Sequence, residues 1–341
     1  MKVIIVAMLY DYGIEERGYS FEYYNFYQPL KEMHGDVQMF DFMTLFKQKG
    51  RQSMNQELLY LVKESRPDLV MFSLYTNQFI PEMVDDLREY TKTLCFFHDD
   101  AWRVEFSLFW AGHFDWFTTL DSHRVQEYRY LGYDNAIYCP YACNPAIYKK
   151  LDLPKKYDVS FVGLANPYRK WFIRKLKKAG INVYAAGSGW SVGHLAQDEM
   201  VRVINQSKIN LNLSNSRSWD VRYLLSLISS PRGLYSWLRS PKNVEQMKAR
   251  TFEINGCGGF QLSHYMDGLE QCYEIGQEIV VYPDVDDLIR KVGYYLAHDD
   301  ERQAIANKGY QRTLAEHTYA QRFQSLFARI GFSQITRLDS K

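Results

Sequence analysis

Short apolar runs alternate with amphipathic stretches from the first residues onward. "KVIIVAML" (2–9), "DVQMFDF" (36–42), "DLVMFSLY" (68–75) and "TLCFFHDD" (93–100) read as strands. Between them "YNFYQPLKEMHG", "NQELLYLVKESR" and "PEMVDDLREYTK" carry helical spacing, and shorter units follow around "FDWFTTLD" and "NAIYCPYA". Strands separated by helices call for parallel pairing through crossover connections. "PYACNPAIYKKLDLPKKYD" loses the period and reads as a connection between domains. The pattern then restarts, with "YDVSFVGLA", "INVYAAGSG", "INLNLS", "GGFQLSHY" and "QEIVVYPD" as strands. "YRKWFIRKLKKAG" is a helix ended by glycine, "DEMVRVINQSK" is a second helix, and the chain is helical from "VDDLIRKV" to "FARI". Residues 216–243 keep no strand period and read as an insertion of two amphipathic pieces broken at "SSPRG".

This order predicts an α/β chain of two Rossmann-like, doubly wound domains with a ligand cleft between the carboxyl ends of their strands. The expected boundaries are 1–145 for the first domain, 146–157 for a linker and 158–317 for the second, with the insertion at about 216–243.

Composition narrows the functions. Lys plus Arg at 41 against Asp plus Glu at 40 removes the electrostatic case for a dedicated nucleic-acid binder. The five cysteines are scattered and form no spaced zinc quartet, which favours a reducing interior. "MKVIIVAMLY" runs into "DYGIEERG" without a small-residue cleavage site and reads as a first buried strand rather than a signal peptide. No apolar run reaches the length of a membrane span, so the expected location is the cytoplasm, or peripheral to the inner face of the membrane. The 27 Tyr, 20 Phe and 7 Trp are chiefly core with wet hydroxyls, the rest being open to stacking on sugars or bases or to a membrane interface.

The segment "KARTFEINGCGGF" (248–260) concentrates the candidate chemistry. Glu253 is expected to open a helix there. A helix N-terminus attracts anions, and Lys248 and Arg250 just before it add charge for a diphosphate. A carboxylate suits the hydroxyls of ribose or sugar instead, since those donate. Glu245 stands eight residues before Glu253, giving a Glu-x7-Glu spacing. Gly13, Gly18 and Ser20 follow the first strand without forming a GxGxxG, which disfavours a dinucleotide-binding oxidoreductase.

With these surroundings the paired glutamates resemble those of retaining glycosyltransferases of the two-Rossmann GT-B architecture. "KARTFEINGCGGFQLSHYMDGLEQCYEIGQEIVVYPD" through "AQRF", with "YDVSFVGLANPYRKWFIRKLKKAG", "GYSFEYYNFYQPL" and "FFHDDAW", is similar to the spore maturation protein CgeB group of such enzymes. The resemblance implies a helix over 318–341 that crosses back to the first domain. It implies that Glu253 binds the ribose hydroxyls and that Glu245 sits by the donor sugar. Arg169 and Lys170 of "NPYRK" would grip the diphosphate, in competition with Lys248 and Arg250.

His98 would touch donor sugar or acceptor, with Asp99 or Asp100 as partner of the acceptor hydroxyl; the alternative is that all three cap the following turn. Gly187, Gly189 and Trp190 would approach the nucleotide base or else form a structural turn. Gly258 and Gly259 would serve close packing and backbone approach to phosphate, and Gly13, Gly18 and Ser20 would form a donor or acceptor loop or a simple turn.

The implied reaction is metal-independent hexosyl transfer, with retention, from a nucleotide-sugar co-substrate, a UDP-sugar being favoured, to an unidentified acceptor hydroxyl in glycan or surface-polysaccharide synthesis. No cofactor is implied. A catalytically silent scaffold in an envelope or coat assembly is the alternative, and a sugar-nucleotide epimerase a third reading. The insertion is open as a lid, an oligomer contact or a membrane-surface element.

Overall fold

The computed structural model describes residues 1–228 and 230–332. They form two compact units, one of residues 1–140 with 319–332 and one of residues 141–318. Ser229 in the expected insertion, and 333–341 of the expected closing helix, lie outside the described residues.

In the first unit β1 (Val3–Ala7), β2 (Val37–Asp41), β3 (Leu69–Phe72), β4 (Lys92–Phe96), β5 (Trp116–Thr119) and β6 (Ala136–Tyr138) form one parallel sheet in the order β2-β1-β3-β4-β5-β6. β1 is buried along its whole length, as a continuous apolar run must be when both faces of a parallel sheet are covered. Its Val3 pairs with Val37 on one side and Leu69 on the other, so the winding reverses between β1 and β3. The crevice at their carboxyl ends is the switch point at which such sheets take ligands. The helix Phe42–Ser65 begins with Asp41 accepting from the Thr44 N–H, and it breaks at Gly50, where φ is 80°. The expected single helix "YNFYQPLKEMHG" is instead a π-helical turn, Tyr23–Tyr27, running into the α-helix Gln28–His34. That turn buries Phe26 against Phe96, with ring centroids 4.8 Å apart, and against Tyr319 and Phe323, both 5.6 Å away, at the start of the helix Tyr319–Arg329.

In the second unit β7 (Tyr157–Val162), β8 (Val183–Ala186), β9 (Ser207–Asn212), β10 (Gln261–His264) and β11 (Val280–Tyr282) are parallel in the order β11-β10-β9-β7-β8, with the switch point between β7 and β9. The helix Pro167–Lys178 is capped by Asn166, whose side chain accepts from the Arg169 N–H, and buries Tyr168, Trp171, Phe172 and Leu176. The insertion folds as helices Val221–Leu227 and Pro231–Arg239. Its Tyr223 packs on Tyr168 and Trp171 at 4.9 and 5.7 Å, which joins it to this unit's core. The helix carrying Glu253 runs Ala249–Gly256, so Glu253 lies in its second turn rather than opening it, and Lys248 is the residue that precedes it. Every residue of this helix from Thr251 to Gly256 is buried, Glu253 among them.

All five cysteines are buried and unbridged. Among the described residues no helix is long and apolar enough to cross a membrane.

Candidate functional site

At the second unit's switch point one guanidinium ties the loops together. Arg169 is buried, and it donates from Nη1 to the Leu164 carbonyl after β7 (3.0 Å), from Nη2 to Leu213 (2.9 Å) and from Nε to Ser214 (2.9 Å), both after β9. Burial lowers its pKa to about 10. A fork of fixed donors suits three carbonyls converging from two loops. The structure therefore gives Arg169 the loops to hold, while Lys170, one position on, is exposed.

The loop that Arg169 holds in turn holds Glu245. The hydroxyls of Ser214 and Ser216 both donate to Glu245 Oε1. His264, at the carboxyl end of β10, brings Nδ1 to 4.0 Å from the same oxygen and donates Nδ1–H to the Tyr265 carbonyl at 2.8 Å. Glu245 and His264 line a cavity of about 560 Å³ together with Tyr168, Trp219, Asp220 and Arg222. Ser214, Ser216 and His264 were not among the residues that sequence reasoning selected. Their signal is position: Ser214 and Ser216 stand just past the carboxyl end of β9, and His264 ends β10.

Arg250 lies in the first turn of the helix Ala249–Gly256, and its Nη1 is 2.7 Å from Glu253 Oε2. Glu253 is buried, and the Tyr148 phenol has its pKa pushed well up, by burial first and then by this carboxylate. Gly258 and Gly259 stand at the other end of that helix, before β10 begins, on the sheet edge away from Glu245. A Cβ on Gly259 would come within 2.8 Å of Asn210 Nδ2, so the chain packs closely there. Gly187, Gly189 and Trp190 form the turn after β8. Gly187 has φ +119°, a Cβ there would lie 2.4 Å from the Gly163 carbonyl, and Trp190 Nε1 donates to that carbonyl at 2.9 Å. This turn is stitched to the loop after β7, with its indole N–H already engaged.

In the first unit the switch point carries a buried cluster. Ser73, just past β3, donates to Glu22 Oε1 at 2.8 Å, and its oxygen lies 3.0 Å from His98 Nε2, which is itself 3.3 Å from Glu22 Oε1. Because the serine proton is given to Glu22, His98 Nε2 is the donor to Ser73. The Glu22 carboxyl is held below its usual range: burial would raise it, but the bonds and charge of His98 and the bond from Ser73 outweigh that. Glu22 and Ser73 are the first unit's residues that sequence reasoning missed.

Asp99 adopts φ 54°, and its carbonyl accepts from the Trp102 and Arg103 N–H groups, so it opens the following turn. Asp100 turns inward. It is fully buried, accepts from Thr119 Oγ1 at 2.6 Å, and has its pKa raised by burial. It is out of reach of an acceptor hydroxyl, which corrects the role expected for it. Ser20 is buried, donates to the Met8 carbonyl at 2.5 Å and accepts from the Tyr23 N–H at 3.0 Å. Gly13 (φ +66°) and Gly18 (φ +82°) shape the loop before it. Among the described residues no three His, Cys, Asp or Glu side chains converge as metal ligands.

Two parallel, doubly wound units of this kind define the GT-B glycosyltransferase fold. Residues 169–328 match the family described as Glycosyl transferase-like. The spore protein CgeB of Bacillus subtilis (strain 168) is 21% identical over 227 residues, 65% of this chain and 69% of that protein. Among solved structures, Anabaena HepE in complex with UDP and glucose superposes with a TM-score of 0.63 at 9% identity, over 97% of this chain and 99% of HepE. TarM superposes with a TM-score of 0.58 at 8% identity over 82% of this chain, which spans 58% of TarM. The resemblance read from the sequence, to GT-B glycosyltransferases and to CgeB among them, holds.

Proposed function

We propose that this chain transfers a sugar from a nucleotide-diphosphate sugar, a UDP-sugar in the favoured reading, to an acceptor hydroxyl with retention at the anomeric carbon. The observation that carries the reading is Glu245, fixed by two serine hydroxyls on a cavity of about 560 Å³ past the carboxyl ends of β9 and β10. A carboxylate held so is a ready acceptor for sugar hydroxyls. As the bond from sugar to phosphate breaks, negative charge grows on the diphosphate. Lys248 and Arg250, at the N-terminus of the helix Ala249–Gly256, are the groups that stabilise it, without a metal ion. Glu253 aims the Arg250 guanidinium and offers its carboxylate to the ribose. His98, oriented by Glu22 and Ser73, is the first unit's sugar-contacting group. In this reading the leaving phosphate serves as base, and no protein carboxylate acts as nucleophile. The UDP preference is supported by the solved relatives HepE and S. aureus TarM, each in complex with UDP.

The test is thermal unfolding of the whole chain with UDP-, GDP-, dTDP- and ADP-sugars. Each is added at a hundredfold excess over its dissociation constant, where binding stabilises by about 2.7 kcal/mol. A rise with one nucleotide class is expected. With that donor, Glu245→Gln should keep the shift and lose about a hundredfold or more in turnover. No rise with any donor, from folded protein, overturns the proposal in favour of a silent scaffold.

A further inference from the structure

The helices of the insertion are apolar on two sides. In Val221–Leu227 the side chains of Tyr223 and Leu227, four apart, are buried. Val221, Leu225 and Ile228 share the opposite face at helical spacing, and they are 67%, 61% and 77% exposed. The helix Pro231–Arg239 repeats the arrangement: Gly233 and the indole of Trp237 turn inward, while Leu234, Tyr235 and Leu238 lie outward. A Cβ on Gly233 would come within 3.0 Å of Leu227, so the helices pack closely, and Trp219, also outward, meets Trp237 at 5.0 Å. A second apolar stripe on a helix calls for a second apolar partner, and here that stripe is left facing water on each helix.

The charges say which medium. From 217 to 242 the chain carries Arg217, Arg222, Arg232, Arg239 and Lys242 against a single acid, Asp220, which Arg222 already neutralises at 2.6 Å. Around the helix Pro231–Arg239, Arg232 and Arg239 are exposed and stand beside the apolar stripe, with the Arg239 guanidinium 5.3 Å from the Tyr235 ring. Apolar side chains flanked by arginine make up an element that lies in the headgroup layer of an anionic bilayer. A second copy of this chain is a poorer partner, because a two-fold contact would bring two arginine-flanked patches together with their one acid already paired to Arg222.

We propose that residues 219–228 and 230–239 form a membrane-surface element that docks the second unit on anionic lipid, with Leu234, Leu238, Leu225 and Ile228 entering the acyl boundary. Trp219, Val221 and Arg222 also line the cavity of Glu245, so docking brings that cavity to the lipid surface. This inference stands whether or not the chain transfers sugar.

The experiment is co-sedimentation of the whole chain with vesicles of phosphatidylcholine alone or mixed with phosphatidylglycerol, at low and high salt. Binding is expected to the mixed vesicles, to weaken with salt, and to be lost in the double variant Leu234→Glu, Leu238→Glu. The double variant Arg232→Gln, Arg239→Gln keeps the apolar stripe and should lose about tenfold or more in partition, since each basic residue near such a surface contributes about 1 kcal/mol. These side chains are exposed, so unfolding midpoints should stay at the wild-type value and certify the variants as folded. Equal binding to both kinds of vesicle, or none, overturns the proposal. So does a concentration-dependent dimer that the leucine variants dissociate, which would assign the face to a second copy.

Discussion

Replacing Arg169 with methionine separates two roles for one guanidinium. The substitution keeps the length and apolar stem of the side chain and removes every donor. Three close bonds are lost, to Leu164 (3.0 Å), Leu213 (2.9 Å) and Ser214 (2.9 Å), each worth roughly 2 kcal/mol because the donor is charged. Against this, the cost of burying the charge disappears; a pKa lowered from 12.5 to about 10 puts that cost at about 3 kcal/mol. The net loss is ~3 kcal/mol, and for a unit of this size it lowers the unfolding midpoint by about 6 to 12 °C. Calorimetry of Arg169→Met and Arg169→Lys, each with and without the donor that stabilises the wild type, reads the outcome. Lysine should recover only part of the loss, since one ammonium does not reach three carbonyls from two loops. An unchanged midpoint together with lost donor binding would refute the reasoning, and would return the guanidinium to the diphosphate.

Glu22→Gln removes a carboxylate whose folded pKa lies below its ordinary 4.5, so its stabilisation is present above that value and fades as the pH falls through the folded one. The variant is therefore expected to be less stable than the wild type at neutral pH and nearly equal to it in strong acid; a gap that persists unchanged into strong acid would rule out the Glu22–His98 pair as its source. Gly187→Ala places a Cβ 2.4 Å from the Gly163 carbonyl at a backbone φ of +119°, and should cost at least ~2 kcal/mol in chemical denaturation. A neutral result there would mean that the turn after β8 is not stitched to the loop after β7.

The architecture was legible because strands covered on both faces are rich in apolar residues: β1, β3 and β7 fall inside segments read as strands, while β4 and β9 begin one and two residues earlier, in stretches read as helix. The site was legible only where a motif marks it. Glu245 and Glu253 are eight residues apart and announce each other. Glu22 meets Ser73 and His98, 51 and 76 residues away, and nothing local in "YSFEYYN" distinguishes its carboxylate from a solvated one. Arg169 is the opposite case. A basic residue at the start of a helix after the first strand reads as a phosphate ligand, yet the carbonyls that claim it belong partly to a loop 44 residues further on. Asp100 and Asp99 are neighbours in sequence, and only the left-handed backbone at Asp99 decides that one opens a turn while the other enters the core.

The helix Tyr319–Arg329 belongs to the first unit although the whole of the second is written before it. On the ribosome, the first 140 residues must therefore wait, with Phe26 lacking its Tyr319 and Phe323 partners, while the second unit is synthesised and is free to finish folding. A nascent chain halted at 318 would hold one finished unit and one unfinished apolar face, so the order of completion in time is the reverse of the order in which the units begin.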